Sequence, residues 1–254
     1  MPSLGRFLRQ VRESTLNPRT GRPISQETAA HRVGLSTAYL VQIERDLRIP
    51  TPQALQLLTT GYTLSAAQIR HIRELRDPPI PVLSTEIMRA RIRQSTAIAE
   101  RLRILDEAEV RAAYFDPFWN LLAANAGVHD MFPGLDGVDN LVVWHFSEHA
   151  RDRLADWGNE AASVVSALKA TLGLHRRSPG ARTVLGRLRH DPDFQGLWNR
   201  TTRISYHRDL ALPLRIRTAH EQSRSLHVES SIIAEVHGYI RLFQAIAAVT
   251  DTAA

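Results

Sequence analysis

Three prolines within four residues interrupt the chain at Asp77-Pro78-Pro79-Ile80-Pro81. Each proline fixes its own φ and removes a backbone donor, so neither a helix nor a sheet interior runs through that point. A chain of 254 residues has room for two domains. The expected division is 1–76, a linker with a connecting helix over 77–109, and 110–254. Charge divides at the same place. Residues 1–76 hold 11 arginines against 5 acids, whereas residues 77–254 hold 21 basic and 21 acidic residues. The whole positive excess lies on the first third, which points to a polyanion-binding unit followed by a unit with another task.

The apolar fraction of 43% and charged fraction of 23% are those of a globular protein. No apolar run approaches the roughly 20 residues that span a bilayer, so no membrane partner is expected. The N-terminus, MPSLGRFLRQVRES, is amphipathic and lacks the apolar core of a signal peptide. Cysteine is absent, which removes disulfides, thiol nucleophiles and thiolate metal sites. The expectation is a cytoplasmic protein.

The first unit reads as five short helices. Leu4, Phe7, Leu8 and Val11 recur at helical spacing, and the turn formers from Leu16 to Pro23 end that helix. Ser25 is a good N-cap for a helix to about Val33, Gly34 supplies a left-handed stop, and Ser36 caps a third helix to about Arg45. Helices over Pro52–Thr60 and about Ser65–Arg76 follow.

The second and third helices, meeting across Gly34, have the pattern of a helix-turn-helix. Ala29 and Ala30 permit close approach, while Val33, Leu35, Leu40 and Ile43 close a shared core. Thr37, Ala38, Val41 or Gln42, and Arg45 are then left facing outward from a helix of a size that fits the major groove. Gln42 suits an adenine edge, and Thr37 and Ala38 suit a thymine methyl. Gln26, at a helix N-terminus, suits a phosphate, and Arg45 and Arg48 suit backbone contacts.

Beyond the prolines, Thr85–Leu105 reads as one long basic helix, either connecting and dimer-forming or packed on the second unit. Val110–Phe115 and Phe118–Ala123 form a candidate hairpin across Asp116-Pro117. Short helices are expected after Asn125 and before Leu141, with longer ones over Asp156–Gly173 and Ala181–Arg189. Leu212–Thr218, Leu226–Ile233 and Val236–Ala247 carry strand patterns. Strands first and last with helices between imply an α+β unit with an antiparallel sheet.

Catalytic and cofactor signatures are missing. There is no Gly-x-Ser-x-Gly elbow, no phosphate-binding loop and no dinucleotide fingerprint. His145 and His149, at i and i+4, suit one helical face but have no third ligand at metal-site spacing. His220, His227 and His237 read as surface or packing residues. No metal, no cofactor and no catalytic residue are therefore expected, and the chain is expected not to be an enzyme. The sparse aromatics read mostly as core, with some lining a pocket; Arg217, Arg241 and His237 are candidate carboxylate anchors.

Residues 4–76 resemble the Xre/Cro-repressor class of helix-turn-helix domains. The resemblance rests on Ser25-Gln26-Glu27, Ala30, Val33-Gly34, Ser36, Tyr39-Leu40, Gln42-Ile43-Glu44-Arg45 and Pro50-Thr51-Pro52 leading into Leu55. It implies that the helix beginning near Ser36 is the recognition helix. The DNA-binding set is then Gln26, Ser36, Thr37, Ala38, Tyr39, Gln42, Arg45 and Arg48. About residues 110–245 resemble the MmyB-like ligand-binding domain of bacterial regulators. The carrying segments include Trp119–Asn125, Asn140-Leu141 with Trp144-His145-Phe146, Asp156-Trp157, Ser178-Pro179-Gly180 and Phe194–Trp198. This second resemblance implies a PAS-like α+β fold with an apolar pocket for a fatty-acid-like or other lipophilic small molecule. Candidate ligand-binding residues are Trp119, Trp144, Phe146, Trp198 and Tyr239. Together the resemblances imply a transcriptional regulator that binds double-stranded, palindromic operator DNA as a homodimer. The second domain would sense a small molecule, mediate dimerisation, or both. The alternatives for that domain are a metabolite-modifying enzyme and a protein-interaction module.

Overall fold

The computed structural model describes residues 1–18, 20–218, 223–233 and 239–248. Five helices come first: α1 (Leu4–Ser14), α2 (Gln26–Val33), α3 (Thr37–Glu44), α4 (Pro52–Gly61) and α5 (Ala66–Arg76). Each starts at a serine or threonine N-cap whose hydroxyl accepts an amide from the first turn: Ser3, Ser25, Ser36, Thr51 and Ser65. Gly34 ends α2 at φ 70°, a left-handed conformation that side-chain-bearing residues adopt at a strain cost. Leu8, Leu40, Ile43, Leu58 and Ile72 form the fully buried centre of this unit. An ion pair stiffens it: Arg12 donates to both Glu44 carboxylate oxygens (2.7 and 3.0 Å) and to the Ile24 carbonyl (3.0 Å).

The proline segment is extended and pinned to the second unit. The Ile80 amide donates to the Leu174 carbonyl at 2.9 Å. The expected helix over Thr85–Leu105 is two helices, α6 (Thr85–Gln94) and α7 (Thr96–Glu107). Ser95 breaks it, because its hydroxyl accepts the Ile98 amide and so caps a new start. Apolar periodicity continues across the break because Met88, Ile92 and Leu102 all pack on one face of the sheet, against Tyr114, Leu122, Ile240 and Leu242.

That sheet contains β1 (Arg111–Phe115), β2 (Leu121–Ala124), β3 (Leu214–Arg217), β4 (Ser223–Ile233) and β5 (Ile240–Ala247). All pairings are antiparallel, in the order β2-β1-β5-β4-β3. β2 starts later than its sequence pattern suggests, because Trp119 occupies the turn at φ 66°. The other sheet face carries Ala113, Phe115, Phe243 and Ala245 toward a helical layer. This layer comprises α8 (Ala126–Met131), α9 (Leu135–Val138), α10 (Leu141–Trp144), α11 (Glu148–Arg153), α12 (Trp157–His175), α13 (Pro179–Leu188) and α14 (Pro192–Arg200). The chain is thus α+β in two units, a helical one and one built on a five-stranded antiparallel sheet. No helix among the described residues is long and apolar enough to cross a membrane.

Candidate nucleic-acid interface and ligand cavity

In the first unit, α3 presents Thr37, Ala38 and Gln42 to solvent. Their exposure follows from the helix period, since Leu40, Ile43 and Glu44 take the buried side. Ser36 is occupied as the cap, its Oγ accepting from the Tyr39 amide at 3.2 Å. Tyr39 is half-buried. Its hydroxyl accepts from the Thr51 amide (3.3 Å), and the Arg48 guanidinium lies over its ring. Arg45 and Arg48 are exposed. Gln26 differs from its expected role in one respect: its amide donates to Glu44 at 2.8 Å. A phosphate contact through that side chain therefore meets a competing partner inside the protein. The surface is an exposed helix face flanked by arginines, of a size that enters a major groove.

In the second unit a cavity of ≈ 170 Å³ opens between α12, the sheet and the segment 205–208. Trp119 and Tyr239 line it; Trp144, Phe146 and Trp198 do not. Trp144 is fully buried in the core, its indole donating to the Pro133 carbonyl at 2.8 Å. Phe146 packs edge-on against Phe194, and Trp198 stacks on the same ring. Those three rings pack in the apolar clusters between helices and sheet and do not line this cavity. Phe132, Leu141, Val164, Leu214, Val228 and Phe243 supply the apolar lining instead.

The cavity's polar groups are unevenly satisfied. Arg208 makes a bidentate pair with Glu160 (2.7 Å each), and Arg70 pairs with Glu74 at 2.8 Å. Arg241 is the one lining arginine without a carboxylate at ion-pair distance among the described residues. It donates to Thr171 Oγ1 at 2.9 Å and lies over the Trp119 ring at 4.8 Å. Burial lowers its pKa to about 10, which still leaves it charged at neutral pH. Its Nε, the Trp119 Nε1 and the Ser230 Oγ are buried atoms with no hydrogen-bond partner. Buried polar atoms are rarely left unpaired, and a cluster of them on one cavity needs an explanation. His145 and His175 also line the cavity, and burial pushes both pKa values down, toward the neutral ring.

His145 and His149 do not share a helical face. His145 caps α10, with Nδ1 2.7 Å from the Leu141 carbonyl, whereas His149 belongs to α11, which starts anew at Ser147. No metal-binding group of three histidine or acidic side chains occurs among the described residues. His227 lies on β4 and is exposed; Arg217 is tied to the Arg151, Asp152 and Leu154 carbonyls. His220 and His237 lie outside the described residues.

Part of the cavity wall comes from the other unit. Arg70 and Glu74 of α5 line it. Tyr206 donates to Glu74 Oε2 at 2.7 Å, and Arg70 sits 3.7 Å above the Tyr206 ring. Beside them the Glu74 carbonyl accepts from Arg176 at 2.8 Å. Gly173 of α12 meets His71 so closely that an added Cβ would lie 2.6 Å from Nδ1. The two units are therefore in direct contact at the cavity.

Residues 99–254 match the family model described as the MmyB-like transcription regulator ligand binding domain, and residues 3–72 match a helix-turn-helix domain model. No curated protein matches the chain.

Proposed function

We propose, for a transcription regulator that belongs to the MmyB-like ligand-binding-domain family, a sequence-specific DNA-binding head under the control of a lipophilic anion. Thr37, Ala38 and Gln42 read base edges from the major groove, while Arg45 and Arg48 hold the phosphates. The protein acts as a homodimer on a two-fold symmetric operator, the usual arrangement for paired recognition helices.

The observation that carries the ligand reading is Arg241. It is a buried cation with an unpartnered Nε on a mainly apolar cavity that also holds the unpartnered Trp119 Nε1 and Ser230 Oγ. Leaving buried donors unmade costs about 1–3 kcal/mol each. A ligand with a carboxylate head and an apolar tail satisfies the donors and covers Phe132, Val228 and Phe243. Because Arg70 and Glu74 belong to the head and line the same cavity, the occupant touches both units. It thereby biases how the head is held.

The test uses medium- and long-chain fatty acids as probes. Native mass spectrometry of the purified protein reads retained ligand and oligomeric state together. Titration with fatty acids should quench Trp119 fluorescence, and Arg241→Gln should weaken binding at least tenfold. A cavity that takes neutral alcohols as well as acids, with Arg241→Gln indifferent, removes the anion from the reading.

A further inference from the structure

A second surface lies where the two units meet, at the C-terminal end of α5. It is a cleft of ≈ 610 Å³ between the start of α1, the loop after α3 and the turn leading into α13. Arg48 and Arg76 come from the head; Arg176, Arg177 and Arg182 come from the other unit. Its two carboxylates are already engaged. Asp46 accepts from the Ser3 hydroxyl and the Gly5 amide, and Asp77 from Arg76. Arg176 is spent on backbone carbonyls of Glu74 and Gly173. Arg48, Arg177 and Arg182 are exposed, with no carboxylate at ion-pair distance among the described residues.

We infer that this cleft holds the phosphate backbone of the DNA that α3 enters, so that Arg177 and Arg182 of the ligand-binding unit contact the duplex alongside Arg48 of the head. The cleft begins where α3 ends, with Asp46 and Arg48 among its lining residues. A major groove is about 12 Å wide, so a helix seated in it has a phosphate strand on either side within one helix diameter. Guanidinium groups are suited to bidentate phosphate contacts. Arg182 donates to the Arg177 carbonyl at 3.2 Å and Arg48 lies over the Tyr39 ring, so none of the three guanidinium groups has its charge offset by a carboxylate, and the cleft concentrates positive charge that suits a polyanion. The contact would also explain how the ligand-binding unit acts on affinity rather than only carrying the head, because it would itself be part of the footprint.

The inference rests on the DNA-binding reading of α3, and the experiment separates the two. Wild-type protein, Arg177→Gln/Arg182→Gln, and Arg91→Gln/Arg93→Gln as a charge-matched control on exposed α6 arginines are titrated onto a fluorescent mixed-sequence duplex at several salt concentrations. Each lost phosphate contact lowers the salt slope by about 0.9. Loss of two therefore shrinks the fold of affinity removed between about 50 and 200 mM salt by about twelvefold. The cleft variant should show that drop, the control should keep the wild-type slope, and Arg177→Lys/Arg182→Lys should restore most of it. A cleft variant with the wild-type slope overturns the inference and leaves the recognition helix untouched. Equal drops in cleft variant and control also overturn it, because net charge rather than contact then sets the slope. Wild-type protein that binds duplex DNA without salt dependence overturns both readings.

Discussion

Lys169 is the only lysine in the chain, and it is 3% exposed. It sits on α12 between the two units, where Nζ donates to the Thr201 carbonyl (2.5 Å), reaches Gln10 Oε1 (3.5 Å) and lies 5.0 Å over the Trp198 ring. Burial lowers its pKa from 10.5 to about 8. Between those values the unfolded chain keeps the proton that the folded chain has released. Stability therefore rises with pH across that window and falls to its lower plateau below it. Integrating the linkage from about pH 8 to pH 10 gives a gain of about 2 kcal/mol. For a chain of this size the gain raises Tm by about 4–8 °C. Burial raises the Tyr62 pKa to about 12 and, together with Glu74, raises that of Tyr206. Their opposing effect starts only above the ordinary tyrosine value near 10. With no other lysine to titrate, thermal melts at fixed ionic strength read chiefly Lys169, with a smaller contribution of the same sign from Arg241 as pH nears 10. Lys169→Met should flatten the profile. A wild-type Tm that is level or falls between about pH 8 and pH 10 would refute the reasoning, as would an equal rise in Lys169→Met.

Three further outcomes follow from the geometry. Gln42→Ala should relax preference at one base pair by about 1–3 kcal/mol, read by binding to a selected set of duplexes; an unchanged profile takes Gln42 out of the readout. Tyr206→Phe removes the hydroxyl that Glu74 accepts. It should leave fatty-acid affinity within a few-fold while collapsing the effect of ligand on DNA affinity, which in coupled systems is about 5–150-fold. An undiminished ligand effect would place the coupling elsewhere. Arg12→Met leaves Glu44 buried without its ion pair, a change worth about 3–5 kcal/mol, visible as a lowered denaturant midpoint.

The head was legible in the sequence because its signals are local. Ser25, Gly34 and Ser36 fix two helix starts and a stop within a dozen residues, and the outward faces follow from the helix period. The cavity was not legible, because it is assembled from segments far apart in the chain. Arg70 and Glu74, Trp119, α12, residues 205–208 and three strands each contribute a few side chains. The resemblance put Trp144, Phe146 and Trp198 among the ligand-binding candidates, but large rings more often fill a core than line a space within it. Arg241 stood among the candidate anchors with nothing to single it out. Its place two residues before Phe243 on β5, on the same face of the strand, was the available signal. The Ser95 break was hidden because α6 and α7 press the same sheet face, so hydrophobic spacing alone does not mark the joint.

The shared wall at Arg70 and Glu74 has a consequence for dosage. If an effector loosens or tightens the grip of the head on its target, thermodynamic reciprocity requires the target to shift effector affinity by the same factor. The concentration at which this regulator responds would then depend on how many target sequences the genome offers it. Copies parked on chromosome and copies adrift in solution would have different thresholds for one signal.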